Sequence, residues 1–303
     1  MRMGGLRFAA TLLLAAVASA AAVSHVRAQP MSYAQFQKLE QPKAKLRIAY
    51  GADPSQFGEL WLPEGKGPHP TVVMIHGGCW LASVADLGLM NLAAQDLARR
   101  GLAVWNIEYR RADQPGGGYP GTFQDVAAAV DHLRAIAPKH RLKLDRLVAT
   151  GHSAGGHLAL WAAARPRIAG SSPLHAPRPL PIATVVSIAG LADLEALQAP
   201  GSQGCGSEPI AALVGNSTAA RPDVFSDTSP AALLPFRVRQ ISIHGDLDRI
   251  APAAVGEAYA AKARASGADS AFRLEKDSGH FELIAPGSAA WADIAATIER
   301  SAK

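Results

Sequence analysis

A serine set between small residues on a sharp strand-to-helix turn is placed to act as a nucleophile. Gly151-His152-Ser153-Ala154-Gly155 fits G-x-S-x-G, with the apolar run Leu147-Val148-Ala149-Thr150 before it and a helical stretch from His157 to Ala164 after it. Such a turn crowds the backbone, so its flanking positions must be small, and it lifts the hydroxyl above the sheet edge at the positive end of a helix. A hydroxyl attacks poorly until a base takes its proton. Ala271-Phe272-Arg273-Leu274-Glu275 reads as a last strand leading to Asp277-Ser278-Gly279-His280-Phe281, and His280 is the predicted base. A carboxylate is then needed to orient the imidazole and stabilise its charged form. Ile241-Ser242-Ile243 runs into His244-Gly245-Asp246-Leu247-Asp248, where two acids compete. Asp246 sits immediately past the strand end and Asp248 further into the loop, before a helix start at Pro252. Asp248 is the choice, with Asp193, after an earlier strand, as an outside alternative.

A tetrahedral intermediate needs donors for its oxyanion, each worth about 3–4 kcal/mol where one has been removed. The residue after the nucleophile supplies one, the amide of Ala154. The loop His76-Gly77-Gly78-Cys79-Trp80 is close to an HGGG-type loop and supplies the amides of Gly78 and Cys79. Only backbone is required, so a cysteine can stand where a glycine is usual. Trp80 is expected in the core or beside the acyl pocket. His76 should hold its own loop by hydrogen bonding, His157 should be a packed residue, and Phe281 and Glu282 should support the site rather than line it. The sequence holds no phosphate-binding G-x-x-x-x-G-K-[ST] loop, no dinucleotide fingerprint and no H-E-x-x-H, so no nucleotide, metal or other cofactor is implied.

Positioning these groups requires a sheet. Thr71-Val72-Val73-Met74-Ile75, Leu102 to Ile107, Leu147 to Thr150, Thr184 to Ile188 and Ile241 to Ile243 are apolar without alternation, as expected of parallel strands covered on both faces. Helical patterns lie between them, one from about Val84 to Arg100. The clearest runs from Thr122 to Ala137, with Phe123, Val126, Val130, Leu133 and Ile136 on one stripe and a possible capping box of Thr122 with Asp125. Strand and helix in alternation predict an α/β architecture with a doubly wound, mostly parallel sheet and helices on both faces. Leu46 to Tyr50 and Phe57 to Leu62 should add an N-terminal hairpin at its edge. Residues 190–235 follow a strand, so they should arch over the carboxyl ends as a short lid, with the Pro115–Pro120 loop bordering the same crevice.

The N-terminus reads as an address rather than as fold. Met1 to Arg7 is positive, Phe8 to Val23 is uncharged and rich in Ala and Leu, and small residues follow, which is the layout of a secretory signal peptide. Cleavage is expected after Ala28, giving a single domain over residues 29–303, a periplasmic or secreted location and no stable membrane insertion. The formal charge of +5 (30 Lys+Arg against 25 Asp+Glu) falls to +2 without Arg2, Arg7 and Arg27, and no basic run lies elsewhere. Nucleic-acid binding is therefore not expected. Export would permit a bond between the two cysteines, Cys79 and Cys205, worth roughly 4–5 kcal/mol in the chain-entropy model. Cys79 falls in a motif whose backbone is needed for other work, which weighs against the bond.

In order along Ile48 to about Ile298, HGGxW, Glu108-Tyr109-Arg110-Arg111, GYPGTFQDVAAAVDHLR, GHSAGGHLALW, HGDLDRIAP and GHFELIAPGS resemble the α/β-hydrolase superfamily of serine hydrolases. The similarity is to its feruloyl-esterase-like, hormone-sensitive-lipase-like and kynurenine-formamidase-like branch. The resemblance implies an α/β-hydrolase fold with Ser153 as nucleophile, His280 as base and, through HGxxDxxVP with Ala251 in place of Val, Asp248 as acid. It implies a serine esterase that cleaves a small-molecule carboxylic ester through an acyl-enzyme. The same triad could serve an amidase such as an arylformamidase, or a prolyl-oligopeptidase-type peptidase, for whose propeller domain the chain has no room. More remotely, the fold could carry a non-catalytic binding protein.

Overall fold

The unalternating apolar runs become strands buried on both faces. In a computed structural model, which describes residues 29–199 and 203–303, eight strands form one sheet: β1 (Leu46–Ala49), β2 (Phe57–Trp61), β3 (His69–Ile75), β4 (Ala103–Ile107), β5 (Leu142–His152), β6 (Thr184–Ile188), β7 (Arg239–Gly245) and β8 (Ser270–Glu275). The predicted leader lies outside the described residues. Every residue of β4 and β6 is buried. The order across the sheet is β1-β2-β4-β3-β5-β6-β7-β8, and only the β1–β2 and β2–β4 pairings are antiparallel. The hairpin therefore sits at the edge, as its two closely spaced runs predict.

Helices α1 (Tyr33–Gln37), α2 (Asn91–Arg99), α3 (Gly121–His140), α4 (Ala154–Ala164), α5 (Leu194–Gln198), α6 (Ser207–Val214), α7 (Ala253–Ala265) and α8 (Ala289–Ala302) complete the layers, giving an α/β-hydrolase fold. All eleven residues of α4 are buried, which is why its sequence is apolar all round rather than on one stripe. Two local expectations change. The capping box at Thr122 does not form: Pro120 is the N-cap, Thr122 Oγ1 donates to the Arg110 carbonyl at 2.6 Å, and Asp125 takes the Arg110 guanidinium at 2.6 and 2.8 Å. A long-range ion pair outcompetes the local cap. The Val84–Arg100 pattern opens only at Leu87, because the Asp86 carboxylate accepts the Gly88 amide and caps a 3-10 turn that runs on into α2.

Register then places the loops. From β3 the chain crosses to β4 on one side and returns to β5 on the other, so the carboxyl ends of β3 and β5 flank the point where strand order reverses, the usual crevice of such sheets. Ile75 pairs with Gly151 and Ile188 with His152, while Gly245 pairs with Glu275. The loops after β3, β5, β7 and β8 all start from one edge of the sheet.

Candidate active site

The turn after β5 is held open by two bare α-carbons. A Cβ on Gly151 would stand 2.2 Å from the Gly155 carbonyl oxygen, and one on Gly155 would stand 2.1 Å from that of Ile75. Neither position tolerates a side chain. Between them Ser153 adopts φ 56°, ψ −120°, a left-handed conformation that costs a non-glycine residue about 1–3 kcal/mol and persists only where the surroundings enforce it. The Ser153 amide donates to the Ile188 carbonyl of β6 at 2.8 Å, which pins the turn to the neighbouring strand. Its side chain stands at the N-terminus of α4, where amides lack intrahelical acceptors.

His280 and Asp248 meet. The Nδ1 of His280 lies 2.7 Å from Asp248 Oδ2, with both side chains buried. The other oxygen, Asp248 Oδ1, accepts the amides of Ile250 and Ala251 at 2.8 and 2.9 Å, so the carboxylate is fixed by its own loop before it touches the imidazole. Asp246, the competing acid, instead accepts the Ser278 amide at 3.3 Å and braces the loop that carries His280. Asp193 caps α5 and pairs with Lys262 at 2.9 Å. The His280 ring packs 4.2 Å from the ring of His152, the residue before the serine, and His152 Nε2 lies 3.1 Å from the His280 carbonyl oxygen. That contact requires Nε2 of His152 to carry its proton, since a carbonyl only accepts.

The loop after β3 presses on the same turn: a Cβ on Gly77 would lie 3.1 Å from Ser153 Cβ. Gly78, Cys79 and Trp80 are consecutive left-handed residues, at φ 104°, 53° and 58°. Among the described residues no hydrogen bond engages the amides of Gly78 or Cys79. A clamp behind this loop had no assigned role in the sequence. Glu108 sits beneath it, 3.0 Å from His76 Nε2, and accepts the amides of Leu87 and Tyr109, while the Tyr109 hydroxyl donates to the His76 carbonyl. Burial opposes the charge of Glu108, but the His76 ring and Arg111 outweigh it and hold its carboxyl below the usual range. Trp80 is fully buried, edge-on to His157 at 5.4 Å.

The weighing against a disulfide is corrected: Cys79 is bonded to Cys205, with a Cα–Cα distance of 5.4 Å. The oxyanion role would use only the amide of Cys79, so its side chain is free to point away and bind the 190–235 segment. That segment also closes on α4, where Trp161 Nε1 donates to the Asp227 carbonyl at 2.8 Å and His157 Nε2 contacts that of Thr228 at 2.9 Å. The Pro115–Pro120 loop joins it through the Tyr119 hydroxyl, which donates to Asp227. A bond spanning 126 residues of sequence should stabilise the fold by roughly 4–5 kcal/mol. The denaturant midpoint is expected to fall when a thiol reductant is present and to lose that sensitivity in Cys79→Ser/Cys205→Ser. An unchanged midpoint would show that the bond contributes nothing.

Three buried histidines surround the site, and burial disfavours the charged form of each. Burial lowers the pKa of His157 to about 4, and burial first, then the neighbouring His280, pushes His152 well below the usual value. His244 is lowered by burial too. Unfolded histidine titrates near 6.5, so between about pH 4 and 6.5 the unfolded chain binds more protons than the native one. Stability must then fall as pH drops through that window, by at most about 3 kcal/mol for His157 alone. His157→Gln, which keeps the donor toward Thr228, should flatten the decline in Tm between pH 6.5 and 4. An equal slope in the variant would assign the effect to other groups.

The fold and the loop arrangement are those of an α/β-hydrolase. The chain belongs to the BD-FAE family, whose model matches residues 59–262. It is 29% identical over 251 residues to "Esterase LipC" of Mycobacterium tuberculosis, covering 78% of this chain and 60% of that one. It thus spans about three fifths of the length of that relative. Among solved structures it resembles a truncated carbohydrate esterase from gut microbiota (TM-score 0.72, 22% identity, 86% of this chain and 97% of that one). It also resembles esterase B from Lactobacillus rhamnosis (TM-score 0.73, 21% identity, 89% and 90%). At these identities the structures share the fold.

Proposed function

We propose that the chain is a serine hydrolase of carboxylic esters that works through an acyl-enzyme. The observation that carries this is the buried His280–Asp248 pair at 2.7 Å, standing against the strained serine turn. A carboxylate on Nδ1 fixes the tautomer with Nδ1–H, which leaves Nε2 of His280 without a proton and able to accept one. In this reading Ser153 Oγ attacks the ester carbonyl as its proton passes to His280 Nε2. The amides of Gly78, Cys79 and Ala154 donate hydrogen bonds to the oxyanion. Collapse breaks the ester bond, and His280 returns the proton to the leaving alcohol. Water, deprotonated by the same Nε2, then attacks the acyl-enzyme and frees the carboxylic acid and the serine.

The relative is named an esterase, which supports the bond type. The 190–235 segment is short and cross-linked, which favours small or medium acyl and alcohol groups. The leader-like residues 1–28 and the Cys79–Cys205 bond support a periplasmic or secreted location, since such bonds persist in oxidising compartments. Among the described residues no helix is long and apolar enough to cross a membrane. The test is a parallel assay of p-nitrophenyl acetate, N-formylkynurenine and an Ala-Pro anilide. The ester should give the highest kcat/KM; if it were the poorest substrate, the assignment to esters would be wrong.

A further inference from the structure

Residues 30–36 do not trail from the domain but lie across the base loop. The Met31 amide donates to Glu282 Oε1, and the Gly279 amide donates to Glu282 Oε2 at 3.1 Å. One carboxylate therefore joins the N-terminal segment to the residue that precedes His280. Pro30 covers the same spot so closely that a Cβ on Gly279 would stand 2.5 Å from Pro30 Cβ. Helix α1 is set by a capping box, Ser32 with Gln35, and this turns two aromatic rings onto Phe281. Tyr33 stacks on it at 5.3 Å, and buried Phe36 lies 5.7 Å away. Phe281 in turn stands edge-on to the His280 ring at 5.3 Å. The Tyr33 side chain also reaches the stretch that follows the Gly78–Trp80 loop, where its hydroxyl donates to the Val84 carbonyl at 3.0 Å. Val84 follows the Gly78–Trp80 loop and is tied back to it, since the amides of Val84 and Leu81 donate to the carbonyls of Leu81 and Gly78.

We propose that Glu282 is a positioning residue for His280, and that residues 30–36 form a strap, anchored by Glu282 and Tyr33, which fixes the base loop relative to the oxyanion loop. The inference rests on the reading of His280 as the general base. The base loop is held from behind by Asp246 on the Ser278 amide and by the Leu247 amide on the Ser278 carbonyl. Glu282 and the aromatic stack add contacts on either flank of His280, at Gly279 and at Phe281. A base must stay within hydrogen-bond reach of both its acid and its nucleophile, and displacement by about 1 Å from groups outside the chemistry costs on the order of 100-fold in rate.

The test compares Glu282→Ala, Glu282→Gln and Tyr33→Ala in the protein. Ester kcat and KM are read alongside the denaturant midpoint and the rate of fluorophosphonate labelling. Glu282→Ala should lower kcat and the labelling rate together by about 10- to 100-fold, with KM within about twofold and cooperative unfolding retained. Glu282→Gln keeps one acceptor oxygen but turns its NH₂ onto the other amide, so it should recover only part of the loss, whereas a purely electrostatic role of Glu282 would leave it as poor as Glu282→Ala. Tyr33→Ala should give a smaller loss in kcat with the same pattern. Full kcat in Glu282→Ala, or a loss matched by the unfolded fraction alone, would overturn the proposal. Ser153→Ala is the internal control: if it stays active, the catalytic reading itself has failed, and if it is dead while Glu282→Ala is unaffected, only the strap has.

Discussion

Ser153→Ala should lower kcat for ester hydrolysis by about 10⁵- to 10⁶-fold, with little change in KM. The substitution removes only the hydroxyl; alanine suits the crowded turn, where Gly151 and Gly155 already exclude larger groups. Stability should hold or rise slightly, so loss of activity cannot be credited to unfolding. The groups of a triad act as a unit. His280→Ala should therefore cost about as much as Ser153→Ala, and the double variant about as much as either alone. Additive losses in the double variant would mean that the two residues do not share one step. The check is steady-state kinetics on p-nitrophenyl acetate, with protein concentration fixed by absorbance and fold by circular dichroism.

Asp248→Asn should lower kcat by about 10⁴-fold while leaving the loop folded. The reason lies in which atoms the carboxylate uses. Oδ1 accepts the amides of Ile250 and Ala251, and Oδ2 faces His280 Nδ1. In asparagine the single carbonyl oxygen would stay on the two amides, leaving the NH₂ group toward the imidazole. A donor there can face only an unprotonated Nδ1, so the proton moves to Nε2 and the ring can no longer accept one from serine. Asp246→Asn leaves the Asp248–His280 hydrogen bond in place and should cost less than tenfold. If the two variants exchanged ranks, the acid would be Asp246.

The parts of this molecule that were legible in the sequence are those fixed locally. Strands covered on both faces must be apolar without alternation, so the cores of β3 to β7 stand out. Each group assigned to chemistry follows a strand directly, and a parallel sheet sends those ends to one edge. The preference for Asp248 over Asp246 came from the resemblance and from the position in the loop; in the structure Asp248 is the one that meets the imidazole. Contacts without a local signature were not legible. The Cys79–Cys205 bond was weighed down because Cys79 was assigned a backbone role, yet such a role leaves a side chain unoccupied. Thr122 and Asp125 have the spacing of a capping box, but Arg110, twelve and fifteen residues away in sequence, claims both. Glu108 serves His76 across 32 residues and Glu282 serves Met31 across 251; no periodicity or spacing rule spans such gaps.

The account depends on Ser153 being an activated nucleophile, and a fluorophosphonate reports that state because it phosphonylates a serine hydroxyl that a neighbouring base deprotonates. Peptide mapping after labelling should find a single adduct, on Ser153, formed at a rate that collapses in His280→Ala and is abolished in Ser153→Ala. Labelling at another residue, or undiminished labelling of Ser153→Ala, would contradict it.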